Sequence, residues 1–213
     1  MTRSKFLKEL TIIADNNVKV NSCAIIILAA GSSSRMGRPK QLLPYNGKSL
    51  LEHTVDTAND TDANPVIVVL GANATMLDKE INEKKVHITE NTEWGEGMAS
   101  SVRCGIKTLM QIAPYSDAAI IMVCDQPFVS PALLNELIAA QKNTGKAIVT
   151  SQYNNAIGPP ALFHKTVFPG LLELKGDAGA RKIIEKRKTD VATVSFDKGE
   201  IDIDTEADYK ALL

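Results

Sequence analysis

Apolar and polar positions along this chain follow two different periods, and the periods sort it into strands and helices. Unbroken apolar runs occur at 24–28 (AIIIL), 66–70 (VIVVL) and 118–124 (AAIIMVC). Each is too short for a buried helix and is rich in β-branched or small residues, which predicts strands covered on both faces, as in a parallel sheet. Weaker strand signals lie at 86–89, 146–150, 191–196 and 201–203. Helical stretches are expected at about 49–58, 74–84, from Met98 through Val102, Ile106 and Leu109, after Ser130, and at about 164–174 and 178–187. Phe6, Leu10 and Ile13 add a short amphipathic segment within residues 1–20. Ser49 and Ser130 stand where helix N-caps are wanted, and Thr205 with Asp208 three residues on is a capping-box-like start for a last helix. The segment SQYNNAIGPP, 151–160, reads as a break. The β-α-β-α alternation with short connections predicts an α/β fold: a three-layer α/β/α sandwich over a mostly parallel, Rossmann-like sheet.

The chemistry gathers where the first strand ends. Residues 24–40, AIIILAAGSSSRMGRPK, set a buried strand directly against a loop of small residues that also carries Arg35, Arg38 and Lys40. Ala29, Ala30 and Gly31 remove side-chain bulk at the strand end. Gly31 and Gly37 can take positive φ, and successive small residues can aim backbone N–H groups into one concavity that favours an anion. The loop is neither a Walker A sequence nor G-x-G-x-x-G. Small residues alone fit an ordinary strand-to-helix turn; with Arg35 and Lys40 beside them they predict a phosphate cradle.

Charge narrows the partners. Lys and Arg number 24 against 25 Asp and Glu, so the net charge of -1 argues against a nucleic-acid-wrapping or membrane-surface role, and phosphate binding must be local. Cys23, Cys104 and Cys124 show no ligand spacing and look like reduced core residues; His53, His87 and His164 are isolated from one another. The N-terminal MTRSKFLKELTIIADNN offers no plausible cleavage site, and no stretch approaches 18 apolar residues. A cytoplasmic location is the expectation.

LAAGSSSRMGRPK resembles the signature of the nucleotidyltransferases that load molybdopterin with a nucleotide, most closely the molybdenum cofactor cytidylyltransferase branch. The likeness continues in order through GMASSVRCGI (97–106), CDQP (124–127), GDAGAR (176–181) and DIDTEADY (202–209). It implies a fold of the nucleotide-diphospho-sugar transferase type, with residues 23–213 as one domain and 1–22 as an extension. It implies CTP and molybdopterin as substrates, Mg²⁺ as cofactor, and a molybdoenzyme or its delivery factor as partner. The implied nucleotide site comprises Leu28, Ala29, Ala30, Gly31, Ser32, Ser33, Arg35, Lys40, Gly71, Ser101 and Asp125, with Arg35, Lys40 and Asp125 catalytic. The block with Asp177 and Arg181 falls beside the acceptor. Residues 158–160 depart from the family: they read Gly-Pro-Pro where Gly-His-Pro is expected, which bears on the acceptor more than on the nucleotide.

Several of these residues have plain structural roles open to them as well. Ser100 and Ser101 could cap the helix that GMASS opens. Asp125 could cap the turn at Gln126-Pro127, or bind metal at the carboxyl edge of the sheet, where ligands of open α/β sheets sit. In IDID, Asp202 and Asp204 would share one face of a strand; Asp204 stands at the helix entrance, leaving Asp202 as the second Mg²⁺ ligand. Gly176 could end one helix and Asp177 cap the next, with Arg181 in its first turn, the wrong side for the helix dipole. The polar loop ENTEWGEG, 90–97, would close over the acceptor with Trp94, the only tryptophan, as a stacking surface. Two other functions compete: a transferase of the same fold acting on a sugar or polyol phosphate, and a non-catalytic carrier of a molybdopterin nucleotide.

Overall fold

A computed structural model describes residues 20–154 and 156–213; the amphipathic segment expected around Phe6, Leu10 and Ile13 lies outside them. The three strong apolar runs are the middle of a seven-stranded sheet. β1 (Cys23–Leu28) lies between β4 (Val66–Leu70) and β6 (Ala118–Val123), parallel to both, with Ile26 opposite Ile67 and Ile121. β5 (His87–Glu90) extends the sheet beyond β4, and β8 (Ala156–His164), β7 (Ile148–Tyr153) and β9 (Val191–Ser195) extend it beyond β6, in the order β5-β4-β1-β6-β8-β7-β9. Among these strands β8 alone runs antiparallel to its neighbours. A two-stranded ribbon, β2 (Pro44–Tyr45) with β3 (Lys48–Ser49), stands apart.

Helices cover both faces, and alternation within β1 says which side chains meet them. Ile25 and Ile27 pack with Leu51 and Val55 of α1 (Leu50–Asn59), Leu77 and Ile81 of α2 (Ala74–Ile81), and Leu134 and Leu137 of α4 (Pro131–Thr144). Ala24, Ile26 and Leu28 face the opposite layer. There they join Val102, Ile106 and Leu109 of α3 (Met98–Ile112), Phe168 and Leu171 of α5 (Phe168–Leu172), and Ile183 and Ile184 of α6 (Arg181–Lys186). A run buried on both faces needs no polar alternation, so these strands read as unbroken apolar segments. A third, smaller core seats α7 (Glu206–Leu212) against α1 and the ribbon through Leu43, Leu50, Ile203 and Tyr209. Cys23 and Cys124 are buried free thiols whose pKa burial pushes up to about 12, while Cys104 is half-exposed. Among the described residues no helix is long and apolar enough to cross a membrane.

The caps fall where they were expected. Ser49 Oγ accepts from Glu52 N at 3.1 Å, Ser130 Oγ from Leu133 N at 3.2 Å, and Thr205 and Asp208 form a reciprocal capping box. Three expectations fail. SQYNNAIGPP is not a break but the tip and return of a hairpin, with Asn154 at φ 50. Proline cannot donate to a ladder, and here the register slips between Thr150 and Ser151, so side chains take over: Thr150 Oγ1 donates to Gly158 O and Ser151 Oγ to Pro160 O, both at 2.8 Å. The helix expected from residue 164 is shortened, because His164 ends β8 and caps a 3-10 turn, Lys165–Val167, before α5. Residues 201–203 form no strand; the segment is held by Ile203, whose side chain is buried and whose N–H donates to Asp125 O at 2.9 Å.

Candidate active site

The loop after β1 is folded round one buried glutamine. Gln41 Nε2 donates to Ala29 O at 3.1 Å and Gly31 O at 2.9 Å, and its Oε1 accepts from Ser33 Oγ at 3.1 Å. Ser33 Oγ in turn accepts from Lys40 N at 3.0 Å. Ser33 and Gly37 both take positive φ, at 55° and 68°, which lets the chain reverse and bring Lys40 back to the strand end. The result is a cleft of about 450 Å³ at the carboxyl edge of the sheet. Leu28 to Ser32 line it together with Lys40, Asp125, Trp94, Met98, Ser101 and Asp177.

Charge is concentrated on Lys40. Its Nζ lies 2.5 Å from Asp125 Oδ2 and 2.8 Å from Asp204 Oδ1, and Arg35 Nη2 lies 2.9 Å from Asp204 Oδ2. Burial alone would push the Lys40 ammonium down; Asp125 beside it, with hydrogen bonds to Asp125 and Asp204, more than offsets this and raises it. Hydrogen bonding from Lys40 holds the Asp204 carboxyl below its ordinary value against partial burial. Asp202 moves the other way, raised first by burial and then by Asp125, with a hydrogen bond from Gln126 opposing. Asp125 Oδ1 is buried and has no hydrogen-bond partner among the described residues.

The fold therefore brings Leu28, Ala29, Ala30, Gly31, Ser32, Lys40, Trp94, Ser101, Asp125 and Asp177 to one cleft, with Arg35 tied to it through Asp204. The remaining candidates lie elsewhere. Ser33 is spent on its own loop. Gly71 packs against Ala30 and Trp94 so closely that a Cβ would sit 2.8 Å from each of their Cβ atoms. Arg181 lines a neighbouring apolar cavity of about 290 Å³, shared with Leu28, Met98, Pro159 and Asp177, and pairs with Glu185 at 3.1 Å. Asp177 does not cap α6, whose N-cap is Ala180. Ser100 and Ser101 do not cap α3 either: its N-cap is Gly97, and both hydroxyls accept from Asn91 Nδ2, at 2.8 and 3.1 Å.

Asp202 and Asp204 do not share a strand face, and Asp204, assigned to the helix entrance, is the carboxylate that holds both cations. Sequence reasoning also missed Gln41 and Met98. Gln41 had a signal, a lone amide between the motif cations and an apolar pair; Met98 had none. Among the described residues no group of three or more His, Cys, Asp or Glu could hold a metal alone. Asp125 Oδ1, buried and without a partner among the described residues, is an acceptor in the cleft open to a cation.

A doubly wound sheet whose first strand ends in a small-residue cradle, with a cation and carboxylates converging at the strand ends, defines a nucleotidyltransferase. The chain belongs to the MobA-like NTP transferase domain family, whose profile matches residues 25–191. It is 31% identical to the purine catabolism protein PucB of Bacillus subtilis, over 86% of this chain and 92% of that one. It is 29% identical to nicotine blue oxidoreductase of Paenarthrobacter nicotinovorans, over 88% and 95%. The crystal structure of Rv0371c from Mycobacterium tuberculosis superposes with a TM-score of 0.77 at 32% identity, covering 90% of this chain and 97% of that one, and Rv0371c has also been solved with manganese.

Proposed function

We propose that this chain is a Mg²⁺-dependent cytidylyltransferase that transfers CMP from CTP to the phosphate of molybdopterin, through one domain spanning residues 23–213. The observation that carries the reading is Lys40, held between Asp125 and Asp204 in a cradle that adjoins an apolar cavity. An oxygen of the acceptor phosphate bonds to the α-phosphorus, the bond from that phosphorus to pyrophosphate breaks, and the electron pair leaves with pyrophosphate. A phosphate monoester, with its second pKa near 6, is largely dianionic at neutral pH, so the attack needs no general base. Asp204 occupies the two cations in the free protein, and the triphosphate takes its place on Lys40 and Arg35, which then stabilise charge growing on the leaving group. Asp125, with Asp202 close by, would hold Mg²⁺, which supplies charge neutralisation at the phosphates.

The acceptor end favours a flat ring over a sugar. The cavity beside Met98 is lined by Leu28, Val102, Ile121, Val123, Pro159 and Phe163, with Asp177 and Arg181 as its charged members. Apart from Asp177 and Arg181 that lining offers a polyol few partners, and each hydroxyl buried unpaired costs about 1–3 kcal/mol. Trp94, 41% exposed in the cleft wall, offers a stacking face. Ala30 fills space in the nucleotide cradle and disfavours a purine; a change of methylene size is worth about 1–3 kcal/mol, or roughly 10–200-fold in discrimination.

Pyrophosphate release tests the reading directly, with CTP, GTP or ATP, Mg²⁺, and either molybdopterin or sugar phosphates as acceptor. CTP with molybdopterin should exceed every other pair, and Ala30→Gly should narrow the margin over GTP. Release with a sugar phosphate in place of molybdopterin would move the protein to the other transferase class. Binding of a molybdopterin nucleotide without any release would make it a carrier.

A further inference from the structure

Two loops distant in sequence wall the acceptor end of the cleft, and both converge on Arg103 in α3. Arg103 Nη1 donates to Glu96 Oε1 at 2.8 Å and to Leu174 O at 2.7 Å, while its Nη2 reaches Glu96 Oε2 at 2.5 Å. Glu96 Oε1 also accepts from Gly176 N at 3.2 Å, and Glu93 lies 3.6 Å from the same guanidinium. The Arg103 side chain is only 14% exposed. Backbone contacts close the junction: Ala99 N donates to Gly176 O at 3.0 Å, and Gly97, at φ 114°, fits so tightly that a Cβ would strike Asp177 Oδ1.

The position of this cluster gives it a job. One loop carries Trp94 and the other Asp177, both lining one cleft, yet neither Arg103 nor Glu96 lines that cleft. The backbone N–H groups of Trp94, Glu96 and Gly97 all donate within residues 91–97, so the Glu96 side chain is a principal link from that loop to the Leu174–Asp177 loop. The apolar packing of α3 rests on Val102, Ile106 and Leu109. A planar fork meets both carboxylate oxygens and a carbonyl from separate nitrogens; a lysine ammonium, with its donors on one nitrogen, does not reproduce that geometry.

We propose that Arg103 and Glu96 are positioning residues, a clasp that sets where Trp94 stands relative to Asp177 and with it the fit of the acceptor. The kinetic consequence rests on the transferase reading above; the structural one does not. The test uses full-length Arg103→Lys, Arg103→Ala and Glu96→Gln proteins, with Lys107→Ala, an exposed cation on the same helix, as control. Trp94 is the only tryptophan, so its emission and acrylamide quenching report on this wall without any substrate. Each clasp variant should shift the emission to the red and raise quenching, with no rescue by lysine, while Lys107→Ala leaves both unchanged. In pyrophosphate release, the KM for molybdopterin should rise on the order of 10–100-fold with the KM for CTP little changed, since misplacement by about 1 Å can cost 10²-fold. Folded Arg103→Lys and Glu96→Gln proteins with wild-type emission and wild-type acceptor KM would overturn the clasp. Altered emission in the variants, alongside a wild-type protein that releases no pyrophosphate with any acceptor, would overturn the transferase reading and uphold the clasp.

Discussion

The end of the cleft proposed for the nucleotide and the end proposed for the acceptor are assembled from the chain in different ways. At the nucleotide end the cradle, its cation and its internal brace all come from residues 28–41, tied together by Gln41 and Ser33. At the acceptor end Trp94, Met98, Pro159, Asp177 and Arg181 arrive from separate segments and are held by side chains that cross between loops. A site made from one contiguous loop keeps its geometry through local hydrogen bonds. A site made from several loops depends on links such as Glu96 to Arg103, and a change in one link moves groups that are far away in sequence.

The largest effect should come from the local end. Lys40→Ala removes the cation that both carboxylates share, and turnover should fall roughly 10²–10³-fold, or about 2.7–4 kcal/mol, by analogy with the loss of one electrostatic donor. Circular dichroism should show the fold intact, because the loop is braced by Gln41 and not by the ammonium. Near-wild-type turnover in that protein would falsify the role given to Lys40.

Next in size is the metal dependence. Asp125→Asn takes a charge from the partnerless acceptor in the cleft, and the Mg²⁺ needed for half-maximal activity should rise at least about tenfold, given that outer partners of metal sites alone command about 10–100-fold in affinity. A titration of activity against Mg²⁺ that superimposes on wild type removes Asp125 from the metal site.

The seam between the two ends can be tested through Gly71. An added methyl there meets Ala30 O at 2.7 Å and the Cβ atoms of Ala30 and Trp94 at 2.8 Å, so Gly71→Ala must push cradle and wall apart. Overpacking of this kind costs about 1–3 kcal/mol, which urea unfolding would register. An unchanged midpoint would mean that the two ends are not in firm contact.

The smallest effect distinguishes the ends by pH. Hydrogen bonding from Arg103 and from Gly176 N–H lowers the Glu96 pKa from 4.5 to about 2, with Glu93 and Lys175 the other charges near the pair. A carboxyl depressed in the folded state adds stability above its ordinary pKa and loses it as pH falls toward the depressed value, so the clasp should loosen between about 4.5 and 2. Over that window, Trp94 quenching should climb with acid in wild type and stay flat in Glu96→Gln. Parallel curves for the two proteins would detach Glu96 from the wall.

Much of this was legible before the structure because it rests on local rules. The buried strands announced themselves as apolar runs, and the caps at Ser49, Ser130 and Thr205 followed from single side chains facing nearby N–H groups. The β7–β8 hairpin was not legible. Its two prolines argue against a strand, and only the threonine and serine hydroxyls opposite make the strand tolerable. Asp204 was misread for a related reason: its neighbours in sequence describe a helix entrance, whereas its partners, Arg35 and Lys40, lie in a loop near the other end of the chain.

The sequence by itself therefore determined the strand core, the helix caps at Ser49, Ser130 and Thr205, and the small-residue loop with its cations, since each follows from periodicity or from groups a few residues apart. Tertiary structure alone decided which carboxylate meets Lys40, where Arg181 and Gly71 lie relative to the cleft, and how Arg103 joins the walls. Those contacts join residues tens of positions apart, and no local pattern encodes the distance between two side chains until the sheet and its two helical layers have brought them together.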